Sequence, residues 1–480
     1  MDKNISALFT DFYELTMAQG FWKRGMDSPV VFDMFFRRHP FDSGFSVFCG
    51  SEDFFTLLEN FRFSEDDLNF LRTTGIFEEG FLSYLRDWKF SGDIYAMAEG
   101  TIVFPNEPLL RIHGNLIEAQ IIEGFLLNTV NFQSLIATKT ARVYLASKKG
   151  RIMEFGLRRA QGYNGAMSAT RAAFIGGAAG TSNTLGGKSL GIPVMGTIAH
   201  SWIMSFPSER EAFDAYAEIY PQNSIFLLDT YNTLGSGIQS AIEAGKKLME
   251  KGYNFGVRLD SGDIQYLSCE VRRKLDEAGC FDAKISVSND LDEEIIASLI
   301  EHGAPIDSWG VGTHMVTGGN DAAFTGVYKL AWRHPTDGDE INVMKISDNP
   351  AKTTNPGIKQ VYRLFNEDGT AKADVIAVVD EEIPTNEEGT FFHPDGGYRQ
   401  FSFSPAKVVP LLEKRIEKGK RCVDANLSDH ERMIKSRKNM EEQLDLFHQS
   451  FKRLLNPHVY KVSLTEKLSE LKKSLILPHL

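Results

Sequence analysis

Apolar positions along this chain change their period twice. Up to about residue 130, helix and strand patterns mix. LFTDFYELTMAQGFW places its apolar residues at helical spacing. SPVVFDMFFR reads as a strand, and GDIYAMAEGTIVFPNEPLLRIHG as paired strands around an Asn/Pro turn. IIEGFLLNTVNFQSLIATKTARVYLASKKG then carries a long helical pattern that ends at a glycine. From about 150 to 335, short continuous apolar runs recur: RIMEFGLR, GIPVMGT, SIFLLDT, NFGVRLDS, KISVSND, SWGVGTH and GVYKLAW. Most are separated by helical stretches such as GIQSAIEAGKKLMEKG. Strands of a parallel sheet are buried on both faces and read as unbroken apolar runs, so this alternation predicts an α/β architecture, a β/α barrel or a doubly wound sheet. Six or seven such strands favour an irregular barrel. After about 340 the rhythm stops. KISDNPAKTTNPGIKQVYRLF and DVIAVVD look strand-rich, and the tail is helical, with capping-box patterns at Ser428–Glu431 and Ser463–Glu466 and NPHVYKV between them. The expected organisation is an N-terminal α+β domain (1–130), a β/α barrel catalytic domain (131–340) and a C-terminal strand/helix domain (341–480).

The chain has 480 residues, too many for one core. A net charge of -12 argues against a nucleic-acid footprint, though a local arginine cluster can still bind an anion. Cys49, Cys269, Cys280 and Cys422 are scattered and form no CxxC pair, as in a reducing compartment. The N-terminal MDKNISALFTDFYELT lacks the apolar core of a signal peptide, and no apolar run is long enough to span a bilayer. The expectation is a cytoplasmic protein with no membrane or nucleic-acid partner.

Chemistry enters where the apolar runs end. EFGLRR ends in Arg158 and Arg159, GIPVMGT leads to Thr197 and His200, and IFLLDT ends in Asp229 and Thr230. FGVRLDSGD carries Arg258, Asp260, Ser261 and Asp263, ISVSND ends in Ser288, Asn289 and Asp290, and WGVGTH ends in Gly312, Thr313 and His314. In a β/α barrel the strand ends share one mouth, where active sites lie. Turn and cap preferences account for Ser288, Asn289 and Thr230, but poorly for two adjacent arginines, a histidine and RLDSGD. His200 alone reads as a core histidine; only convergence with partners gives it a role. The set suits a small anionic substrate and a phosphorylated sugar. Arginine forks match carboxylate or phosphate, GVGT offers amides and a hydroxyl to a phosphate, and Asp229, Asp260 and Asp263 suit ribose hydroxyls or Mg²⁺ through water. GGAAGTSN (176–183) is small enough for backbone to approach a ligand, or is a flexible loop.

TDFYELTMAQGFW, EFGLRRAQG, GTIAHSW, LLDTYNT, VRLDSGD, SNDLDE and GVGT followed by GVYKL, in this order, closely resemble the nicotinate phosphoribosyltransferase family, and NPGIKQVYR and NPHVYKV resemble its C-terminal region. The resemblance implies a type II phosphoribosyltransferase-like irregular barrel. It implies transfer of the phosphoribosyl group of 5-phosphoribosyl 1-pyrophosphate (PRPP) to nicotinate, giving nicotinate mononucleotide and pyrophosphate for NAD biosynthesis. It further implies Mg²⁺, ATP as co-substrate coupled through a phosphohistidine at His200, and a homodimer. Catalytic roles then fall to His200, Asp229 and Asp260. Tyr13 would stack on the pyridine ring from the partner subunit, Thr197 and Arg258 would contact nicotinate, Gly312 and Thr313 the sugar phosphate, and Arg158 matches the family's arginine-bearing strand end. QGYNGAMSATR and GGAAGTSN depart from the family's usual wording. The alternatives are a nicotinamide or quinolinate phosphoribosyltransferase, or an inactive binding protein on the same fold.

Overall fold

The structure is a computed structural model that describes residues 5–349, 352–394 and 399–479. Residues 1–4 of the N-terminal stretch, and residues 350 and 351 of KISDNPAKTTNPGIKQVYRLF, lie outside the described residues. The chain divides into two compact units, one of Met1–Thr138 with Ala323–Leu480 and one of Lys139–Ala322.

The unit Lys139–Ala322 holds the barrel strands β1 (Arg151–Glu154), β2 (Gly180–Thr181), β3 (Ile225–Leu227), β4 (Gly256–Leu259), β5 (Lys284–Val287) and β6 (Ser308–Val311). They form one sheet in the order β2-β1-β6-β5-β4-β3. Every pair in it is parallel. Ile152, Val257, Leu259, Ile285, Val287 and Val311 are fully buried, which is why these runs read as unbroken apolar segments. Helices such as Gly162–Ile175, Ile238–Glu250, Ile264–Glu277 and Glu293–Glu301 supply the crossovers.

GIPVMGT does not become a strand. It makes a single bridge, Thr181 to Val194, with Thr181 N–H donating to Pro193 O at 3.0 Å and Met195 N–H to Thr181 O at 2.8 Å. Proline lacks a donor, and flanking glycines end the pairing. Among the described residues no backbone hydrogen bond continues from residues 193–195 to β3, so the sheet has one open junction. GGAAGTSN is not a loose loop: it contains β2, and Asn183 caps the helix Thr184–Leu190.

The other unit contains a seven-stranded antiparallel sheet ordered Ile341–Asn342, Gly326–Arg333, Pro29–Phe36, Leu110–Asn115, Asp93–Ala96, Glu413–Glu417 and Lys420–Arg421. GVYKLAW therefore belongs with Pro29–Phe36 and not with the barrel. Lys329 and Arg333 lie within that strand, so it cannot be buried on both faces. The core here is aromatic, with Phe32, Phe36, Phe54, Phe61, Phe81 and Phe125 buried. The helix from LFTDFYELTMAQGFW spans Phe12–Arg24. A six-stranded sheet includes Lys359–Phe365 and Ala371–Val378 from the C-terminal region. The capping box at Ser428 forms. The one at Ser463 does not, because Ser463 lies in the strand Lys461–Leu464 and Thr465 caps the last helix by accepting from Leu468 N–H.

In the barrel unit, Glu293 lies buried between Lys139 (2.6 Å) and Arg142 (2.7 Å). Burial pushes the Glu293 carboxyl up, but Lys139 and Arg142 outweigh it and hold the pKa below the usual carboxylate range. Removing one partner of a buried pair costs roughly 3 kcal/mol or more. Glu293→Gln should lower the thermal midpoint by several degrees at neutral pH. The pair's contribution is present above the unfolded pKa and fades as pH falls through the lower folded value. The gap between parent and variant, followed by circular dichroism melts, should therefore close in acid.

Candidate active site

Parallel pairing brings the C-terminal ends of β1, β4, β5 and β6 to one cleft of about 500 Å³. Arg158 and Arg159, on the turn Leu157–Arg159, line it with Thr197, Arg258, Asp260, Ser288, Asn289, Asp290, Gly312 and Thr313. Three guanidiniums against two carboxylates make it anion-seeking.

Arg258 is the most buried of these charges, with its side chain 12% exposed. Its Nη1 donates to Thr197 Oγ1 and, at 3.2 Å, to Ile198 O, and its Nη2 stands 3.9 Å from Asp260 Oδ2. Its Nε is buried and has no hydrogen-bond partner. Burial pulls the guanidinium below its ordinary pKa; Asp260 and Asp229 oppose this and Arg158 adds to it.

His200 begins the short helix His200–Met204 and is part-exposed. Nδ1 lies 3.1 Å from Thr230 Oγ1, and Nε2 lies 3.8 Å from Asp260 Oδ2. Asp260 Oδ1 accepts from Ser288 Oγ. Asp229 Oδ2 accepts from the Asp260 amide (3.1 Å) and from Ser261 Oγ, while its Oδ1 is buried without a hydrogen-bond partner. His200, Asp229 and Asp260 thus come together beside the cleft. Asp263 does not join them: it is the N-cap of Ile264–Glu277, accepting from Tyr266 N–H at 3.0 Å. Gly312 precedes the helix Thr313–Thr317, whose start has no side-chain cap. Gly310 is required by packing, since a Cβ there would sit 2.7 Å from the Phe155 ring.

Tyr13 lies in the other unit, on the helix Phe12–Arg24, with its ring exposed. Burial of its hydroxyl and the adjacent Glu14 carboxylate raise the phenol pKa, so it stays neutral. Phe9, Phe12 and Met17 are exposed with it.

Turn preference had explained Thr230 and Ser288, yet their hydroxyls hold His200 and Asp260. No local pattern distinguishes such a hydroxyl from a turn former. Glu154, at the end of β1, also escaped notice. It is buried and accepts from the Gly156 amide, Thr170 (3.2 Å) and Thr181, tying β1 to β2. Its only trace in the sequence was an acid at the end of an apolar run.

Among the described residues no helix is long and apolar enough to cross a membrane. Three family models match: the nicotinate phosphoribosyltransferase N-terminal domain at residues 8–131, the nicotinate phosphoribosyltransferase family at 150–368, and its C-terminal domain at 358–472. The chain is 41% identical over 463 residues to nicotinate phosphoribosyltransferase of Bacillus subtilis (strain 168), covering 96% of this chain and 93% of the relative. It is 32% identical over 527 residues to that of Homo sapiens, covering 98% and 96%. The crystal structure of human nicotinic acid phosphoribosyltransferase superposes with a TM-score of 0.84 at 31% identity, covering 97% of this chain and 99% of that one. From end to end, therefore, this chain belongs to the nicotinate phosphoribosyltransferase family.

Proposed function

We propose that the chain transfers the phosphoribosyl group of PRPP to the ring nitrogen of nicotinate, coupled to ATP hydrolysis through a phosphohistidine at His200, as a step of NAD salvage from nicotinic acid. The observation that carries this reading is Arg258: a mostly buried guanidinium, facing an anion-seeking cleft, with one donor left unpaired. A carboxylate on an aromatic ring satisfies that donor and is the group that separates nicotinate from nicotinamide.

Arg258 and Thr197 hold the nicotinate carboxylate, which aims the pyridine nitrogen at the anomeric carbon. The nitrogen attacks as the bond to pyrophosphate breaks, so no covalent sugar intermediate is needed and alignment supplies much of the acceleration. Gly312 and Thr313 offer uncapped amides and a hydroxyl to the 5-phosphate, and Arg158 faces the departing pyrophosphate. Asp260 steadies the positive charge that develops on the ribose. Among the described residues no three His, Cys, Asp or Glu side chains gather to hold a metal ion, so a divalent cation would have to arrive with the pyrophosphate, and Asp229, whose Oδ1 is buried and unpaired, is the carboxylate that would meet it. Mg²⁺ would supply neutralisation of pyrophosphate charge there. His200 stands beside this chemistry. It takes the γ-phosphoryl group of ATP on a ring nitrogen, ADP leaves, and water later removes the phosphoryl group, so its state biases substrate binding.

The exposed Phe9, Phe12, Tyr13 and Met17 support a homodimer in which the partner's helix presents Tyr13 to the pyridine ring. Such stacking contributes about 1 kcal/mol beyond area burial.

His200→Ala should abolish both ATP stimulation and acid-labile labelling from γ-labelled ATP; label persisting on the variant overturns the assignment. The parent should prefer nicotinate to nicotinamide by roughly a thousandfold, the cost of a buried charge without its partner. Arg258→Ala should raise KM for nicotinate far more than KM for PRPP, and equal use of both bases by the parent refutes the role. Mixing Tyr13→Ala with His200→Ala under subunit exchange should restore partial ATP-coupled activity. If native mass spectrometry confirms exchange and no activity returns, Tyr13 does not serve the partner's site.

A further inference from the structure

The barrel ladder has one junction without backbone hydrogen bonds, between residues 193–195 and β3. The segment 196–204 runs along it. Within it, Trp202 Nε1 donates to Ala212 O at 3.0 Å. Across the junction it is held by side chains: His200 with Thr230, which follows β3, and Thr197 and Ile198 O with Arg258 of β4. Thr230 is a residue that turn preference explained away and to which the reaction above gives no task. We propose that Thr230 is a positioning residue: its hydroxyl latches His200 across the open junction, setting the orientation of the imidazole and, through it, of the segment that caps Arg258.

The charges around the ring explain why a latch is needed and why it responds to the state of His200. Asp260 lies 3.8 Å from Nε2, beyond hydrogen-bond range, so it does not fix the rotation of the ring. The Thr230 hydroxyl, at 3.1 Å from Nδ1, is the group close enough to do so. Thr230 occupies Nδ1, which leaves Nε2 to accept the phosphoryl group. There the group would place negative charge beside Asp260. The present arrangement is then lost, and Thr197 and Ile198, on the same short segment, are freed to release Arg258 Nη1. The His200 state is thereby coupled to the guanidinium that meets the substrate carboxylate.

This inference rests on the phosphohistidine reading for its consequence but not for its geometry, so two measurements on the full chain separate them. Thr230→Val keeps the side-chain shape at a part-exposed position, and Thr230→Ser restores the hydroxyl. In hydrogen exchange without ATP, amides of 196–204 should exchange several-fold faster in Thr230→Val than in the parent, and at the parent rate in Thr230→Ser. Initial labelling of His200 by γ-labelled ATP should fall about tenfold in Thr230→Val, the factor one neutral hydrogen bond supports, and return to within about twofold in Thr230→Ser. Parent-like exchange in Thr230→Val overturns the latch. Faster exchange with undiminished labelling removes its role in positioning the imidazole. A parent that exchanges as expected yet takes no label leaves the latch standing and overturns the phosphohistidine.

Discussion

Parallel pairing is the constraint on which the site depends. A parallel strand pair cannot be closed by a tight turn, so each strand is followed by a crossover helix and each strand ends on the same side. In the unit Lys139–Ala322 all five pairings are parallel. Residues separated by more than a hundred positions, such as Arg158 and Thr313, are thereby delivered to one cleft. The strands themselves contribute little chemistry. Their buried Ile, Val and Leu side chains fix the register, and the register places the residue after each strand.

Charge is then distributed unevenly around that mouth. Arg258 is sunk deep enough for burial to weaken it, and it keeps an unpaired donor. Asp229 likewise keeps a buried oxygen unpaired. Groups left in this condition cost stability, and they are tolerated where a ligand completes them. Glu293, buried in the same unit, instead has two cations of the chain within ion-pair distance. The same chemical types serve support in one place and recognition in the other, and the difference lies in whether the charge faces the cleft or opposite charges of the chain.

The open junction beside β3 belongs to the same logic. A closed ladder would hold the segment 196–204 through its backbone and leave its side chains free. Here Pro193 and the surrounding glycines end the pairing, so side chains carry the connection. Bonds of that kind depend on the protonation or modification of the groups that make them, which backbone bonds do not.

Much of this was legible in the sequence, for local reasons. Continuous apolar runs alternating with amphipathic stretches announce a parallel sheet, because burial on both faces leaves no room for polar residues. The polar groups that follow those runs announced the mouth, and the ordered motifs announced the family. His200, Arg258, Asp260 and Asp229 all lie in or just after such runs. Tertiary structure alone decided three other matters. Pairing partners are non-local, so GVYKLAW, apolar enough for the barrel by pattern, went to the antiparallel sheet of the other unit, while GIPVMGT fell short of a strand. Hydrogen-bond direction is non-local too: Asp263 was consumed as a helix cap, whereas Thr230 and Ser288, written off as turn formers, hold His200 and Asp260. And whether a charge meets an opposite charge depends on neighbours far away in the chain, so only the folded structure could show that Arg258 Nε has no hydrogen-bond partner and that Glu293 lies between Lys139 and Arg142.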